Sequence, residues 1–195
     1  MTKKIIIGGV LAALAMFIWS SIAHMVLPIG ELGVKSITNE DAVIAAMKAN
    51  ITEDGFYFIP GEGMSHAATL PKDQQKAAQE AWQKKYEAGP HGILVYHAAG
   101  EKLSMPRLLA VEFGADIIVG LIAAFALAMA SEKLRSFACR VGFVTLLGVL
   151  GFAAIEVSYW NWYGFPGIYE VGQFLDQVVG MLFAGIVLAF VMRRV

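Results

Sequence analysis

The chain has 195 residues, 57% of them hydrophobic and only 16% charged, with a formal net charge of −1. Soluble domains carry about a quarter of their residues as Asp, Glu, Lys or Arg, so an ordinary water-soluble fold is not expected. The charge balance offers no basic face for nucleic acid, and the single cysteine, Cys139, excludes an internal disulfide, a CxxC redox pair and CxxCH attachment of haem c.

Four apolar stretches explain the composition. They run from about Lys4 to Leu27, Leu108 to Ala130, Val141 to Tyr159 and Gln173 to Met192. Each is close to the ~20 residues that carry a helix across ~30 Å of hydrocarbon. The expected fold class is an integral membrane protein, mainly α, with four transmembrane helices. A small extracytoplasmic α+β insert is expected between helices 1 and 2. Residues 1–27 form the first helix, read as a retained signal anchor because its apolar run exceeds a typical signal-peptide core. Residues 28–105 form the insert, and residues 106–195 hold the other three spans.

The insert has its own signals. Thr38 with Asp41 resembles a capping box ahead of a helix carrying Val43, Ile44, Met47 and Ile51. Gly55-Phe-Tyr-Phe-Ile59 and Gly92-Ile-Leu-Val-Tyr-His97 read as strands. Between them Pro71 opens, and Gly89-Pro90 closes, a helix on which Trp82 and Tyr86 share a face. That face is expected to pack on the strands. Seven lysines against ten acids make an ordinary solvated surface, and no nucleotide loop is present: the Gly61-Glu-Gly63 pair lacks any phosphate-loop context. His66, His91 and His97 with Glu62 hint at an exported metal site, but solvent-exposed histidines are the plainer account.

Orientation follows from the basic residues. Lys3 and Lys4, then Lys133, Arg135 and Arg140, then Arg193 and Arg194 flank the spans on one side. The positive-inside rule then puts both termini in the cytoplasm of an inner-membrane protein, with residues 28–105 extracytoplasmic or periplasmic. The Trp160–Gly172 segment becomes an outer turn, with Trp160, Trp162, Tyr163 and Tyr169 as an interfacial belt.

Five ionisable residues fall inside the apolar stretches at similar depth: His24, Glu112, Asp116, Glu156 and Asp176. Asp116 lies about 12 Å below Leu108 by helical rise. Glu112, Asp116 and Gly120 share a helix face. With no Lys or Arg expected inside a span, four carboxylates and one imidazole cannot all be charged in low dielectric. The expectation is one intramembrane polar cluster. It has three readings: protonated carboxylates bonding helices together, a divalent cation held by His24, Glu112, Asp116, Glu156 and Asp176, or a proton or cation path. The first is favoured, since the Glu-x-x-His pairs of di-iron bundles are missing. Asp116-Ile-Ile-Val-Gly120-Leu-Ile-Ala-Ala124 also aligns with Asp176-Gln-Val-Val-Gly180-Met-Leu-Phe-Ala184, which suggests two duplicated hairpins.

The functional expectation is a non-catalytic scaffold or accessory subunit of a membrane complex. Its partners are the lipid bilayer and either other subunits or copies of itself. The alternatives are a proton- or cation-conducting transporter and a metal-binding protein or metalloenzyme using the same cluster.

Overall fold

A computed structural model describes residues 2–61 and 68–193. It is mainly helical, in the order α1 (Thr2–Met25), α2 (Glu40–Asn50), β1 (Gly55–Ile59), α3 (Lys72–Ala88), β2 (Gly92–Tyr96), α4 (Met105–Ala130), α5 (Phe137–Tyr163) and α6 (Gly167–Val191). Helices α1, α4, α5 and α6 are each long and apolar enough to cross a membrane, which makes this a membrane protein. Two compact units are formed. One comprises Met1–Lys35 with Leu103–Val195, and the other Ser36–Lys102. Residues 28–35 therefore pack with the long helices, where the sequence had assigned them to the insert: Leu32 lies over Gly172, and Gly33 over Tyr169.

In the long-helix unit α1 packs against both α4 and α6, and α6 packs against α5. Helices α4 and α5, consecutive in the chain, touch only marginally. Small residues set these approaches. Gly120 of α4 lies directly on the backbone of Gly9 in α1, and a Cβ on Gly148 of α5 would come 2.7 Å from Met181 of α6. The core is built from Ala12, Ala13, Ala124, Leu127, Ala184 and Leu188, each fully buried. The two aligned segments carry Gly120 with Ala124 and Gly180 with Ala184. Gly120 meets α1 at Gly9 and Ala13, and Gly180 meets it at Met16 and Trp19. Both aligned segments thus face the same helix.

Span ends differ from the sequence reading. Helix α5 continues to Tyr163, and α6 begins at Gly167, so the expected outer turn shrinks to Gly164-Phe-Pro166. Gly164 has φ +73°, a conformation that favours glycine and stops α5 within one residue. The belt residues sit on helix ends as a result. Trp160 and Trp162 are well exposed, while Tyr163 and Tyr169 are half-buried. At the opposite end α5 starts at Phe137, with the Ser136 hydroxyl accepting from the Cys139 amide at 3.1 Å. Arg140 thereby enters the first turn of a span. It is 6% exposed, which corrects the expectation of spans free of Lys and Arg.

In the smaller unit β1 and β2 pair antiparallel, Gly55 opposite Tyr96 and Ile59 opposite Gly92, with α3 as the connection. Asn39, not Thr38, caps α2, its side chain accepting from the Ala42 amide at 3.3 Å. The Asx side chain is one residue closer to the first turn than the threonine, so it takes the donor first. Trp82 is half-buried and donates Nε1 to the Pro60 carbonyl at 3.2 Å, fastening α3 to the end of β1. Tyr86 is 40% exposed and stacks on His91 at 4.1 Å. None of this unit's described residues is fully buried.

Candidate functional site

The site begins with two packing decisions. Gly120 presses α4 onto α1, and Asp116, one turn earlier on the same face, is carried to the edge of that contact. On α6, the Trp19 indole of α1 donates to the carbonyls of Asp176 and Leu175 at 3.1 and 3.3 Å. This fixes α6 against α1 at the level of the Asp176 side chain.

The side chains then divide into three groups. Asp176 Oδ2 takes contacts from α1: His24 Nε2 at 3.3 Å and Ser20 Oγ, which donates at 3.4 Å. His24 stands at the rim with its side chain about half exposed, and Gly30 lies so close to its ring that no side chain fits there. Glu112, Asp116 and Asp176 line a cavity of about 460 Å³ with Ser20 and Gln177. The rest of its wall is apolar or glycine and comes from all four long helices, including Val119 and Ile122 of α4 and Gly148 and Gly151 of α5. An adjoining hollow of about 410 Å³ shares Ser20, Glu112 and Asp176 and adds His24. Glu156 belongs to neither. It is buried on α5 and accepts a hydrogen bond from Gln177 Nε2 at 3.0 Å.

Four of the five expected residues are thus brought to connected hollows, and Glu156 is separated from them, joined only through Gln177. The reason is rotational: Glu156 faces the α5–α6 seam and not the cleft. Among the described residues no three His, Cys, Asp or Glu side chains come together as a metal site. The five do not form one coordination shell. The described histidines of the smaller unit, His91 and His97, each have another neighbour. His91 stacks on Tyr86, His97 Nδ1 lies 3.6 Å from Asp54, and Glu62 and His66 fall outside the described residues.

The hydrogen-bond account is incomplete where it matters most. Asp116 Oδ2 and Asp176 Oδ1 are buried with no partner among the described residues. A buried carboxylate oxygen without a donor is costly. Among the described residues, no Lys or Arg lines the cleft.

Sequence reasoning missed three contributors. Ser20 and Gln177 are neutral polar residues in apolar runs and were passed over for the charged ones. Glu170 lay outside the expected fourth span but sits in the first turn of α6, 8% exposed, with neither carboxylate oxygen partnered among the described residues. It borders a hollow of about 220 Å³ with Phe152, Val157 and Trp160. Pro166, a natural helix-start residue, was the signal that would have included it. No family model, curated protein or solved structure matches this chain.

Proposed function

We propose that the chain is a non-catalytic accessory subunit of a membrane complex, and that its cleft accepts a basic side chain from a partner's transmembrane helix. The observation that carries this reading is the pair of oxygens without a partner among the described residues, Asp116 Oδ2 and Asp176 Oδ1, in a cavity lined by all four long helices, of which α4 and α5 touch only marginally. Ionisable groups at membrane depth are costly alone and are commonly satisfied by pairing across helices. A lysine or arginine entering between Val119, Ile122 and Gly151 meets two acceptors there. Its own helix would cover the apolar edges of α4 and α5. The setting we propose is an inner cytoplasmic membrane with both termini cytoplasmic and residues 28–105 outside. Its support is the gathering of Lys3, Lys4, Lys133, Arg135, Arg140 and Arg193 at one set of span ends.

A photocrosslinking residue at Ile122, introduced into the full-length chain in its own membranes, tests this. A discrete adduct with one other chain is expected, and Asp116→Asn should abolish it while leaving the melting temperature unchanged. No adduct, or an adduct indifferent to the amide, refutes the proposal.

One observation favours a second reading, uptake of a proton or small cation. The exposed His24 contacts Asp176, which borders the same cavity as Asp116, giving a path from rim to interior. Beyond Asp116 the core is Ala124, Leu127, Ala184 and Leu188, with no carboxylate among them. A single chain on this reading loads a cation from one side and does not conduct it. Proteoliposome flux through the purified chain alone would reverse that ranking.

A further inference from the structure

At the end of the long-helix unit opposite His24, the link from α4 to α5 folds into a hollow of about 590 Å³. It is lined by Ser131, Glu132, Lys133, Arg135 and Arg140. Three cations face one carboxylate there, so the hollow carries a net charge of 3 − 1 = +2. Arg140 is its fixed member. Its Nε donates to the Leu134 carbonyl at 2.8 Å and its Nη1 to the Met192 carbonyl at 2.5 Å. The guanidinium is thus held rigidly between the α4–α5 link and the end of α6. Although it is more than nine-tenths buried, none of the ion pairs among the described residues involves it.

We propose that this hollow binds a phosphate group, as the headgroup of an anionic phospholipid or as a soluble phosphate. The buried guanidinium needs a counter-charge that two carbonyl dipoles supply only in part. With Nε and one Nη1 hydrogen given to the two carbonyls, Nη2 and the second Nη1 hydrogen are left to donate to phosphate oxygens, and the exposed Lys133 and Arg135 add charge from the rim. The surroundings favour the lipid as source. Met129 in the last turn of α4 and Phe137 at the start of α5 are both exposed and apolar, a surface on which acyl chains can lie. Basic hollows at the ends of transmembrane helices are a recurrent solution for such headgroups. The site is independent of the carboxylate cleft and stands or falls without it.

The test uses the full-length chain, delipidated in a neutral detergent. Binding of phosphatidylglycerol and phosphatidylcholine is read by native mass spectrometry, and binding of inorganic phosphate by calorimetry. Phosphatidylglycerol should bind at least tenfold more tightly than phosphatidylcholine, with two surface charges each contributing to the difference. The double variant Lys133→Gln/Arg135→Gln should weaken phosphatidylglycerol by roughly tenfold. It leaves Arg140 and its carbonyls intact, so folding is not at issue. Lys3→Gln, an exposed cation outside the hollow, should change nothing. If inorganic phosphate binds with the same sensitivity to the double variant, the site stands and its source is a soluble phosphate. Equal affinity for the two lipids with no phosphate binding overturns the proposal. So does a double variant that binds as the wild type does.

Discussion

The two halves of the long-helix unit are made from the same four apolar helices, yet they solve opposite problems. Towards Arg140 the helices close: Ala12, Ala13, Ala124, Leu127, Val144 and Leu188 are fully buried, and Gly8 lies against Leu188. Towards His24 they stay apart around a cavity lined by Glu112, Asp116 and Asp176. Small residues at Gly8, Gly9 and Gly120 permit close approach in one half, and carboxylates one turn apart on α4 line the cavity in the other. Hydropathy does not distinguish a helix stretch that fills a core from one that walls a site.

The packed half should be the fragile one. Leu188→Ala removes a fully buried side chain from the centre of the core, and a loss of about 2–5 kcal/mol is expected in reversible detergent unfolding. A loss below 1 kcal/mol would mean that this half is as loosely packed as the other. The seam between α1 and α4 comes next. Gly120→Ala drives a methyl into the Gly9 backbone, and overpacking of this kind costs about 1–3 kcal/mol. The same substitution at Gly151, with open space around it, is the matched control. The smallest effect belongs to the cleft. Asp116→Leu removes an unpartnered buried oxygen and should leave stability unchanged within about 1 kcal/mol, or raise it. Marked destabilisation would show that Asp116 bonds the helices together after all.

Much of this architecture was legible in the sequence because hydrophobic length is a one-dimensional signal. Four spans, two strands and the helix between them can all be read from runs, prolines and glycines. The neighbours of each helix were less accessible. That Asp116 and Asp176 border one cavity could be suggested from depth alone. That Glu156 turns away towards Gln177 depends on how α5 is rotated against α6, and 3.6-residue periodicity carries little information in a helix that is apolar all round. Span ends failed for a related reason. Glu170 and Arg140 lie in first turns, where a charged residue lowers local hydropathy just where the helix begins. Trp82 shows the same limit in the smaller unit: its face was readable, but not that an indole bonded to the Pro60 carbonyl would stay half-exposed.

The bond from Arg140 to the Met192 carbonyl joins residues 52 positions apart. A ribosome makes the arginine well before it makes its partner. While α5 is threading into the bilayer, the guanidinium has the Leu134 carbonyl but not the second acceptor, and must remain in contact with water or headgroups. Only when α6 has been synthesised and has docked can Arg140 become buried. Burial of this side chain therefore reports that α6 is in place against the start of α5. Without α6, the arginine would keep the Leu134 carbonyl alone, and the base of α5 would present a positive charge short of one acceptor.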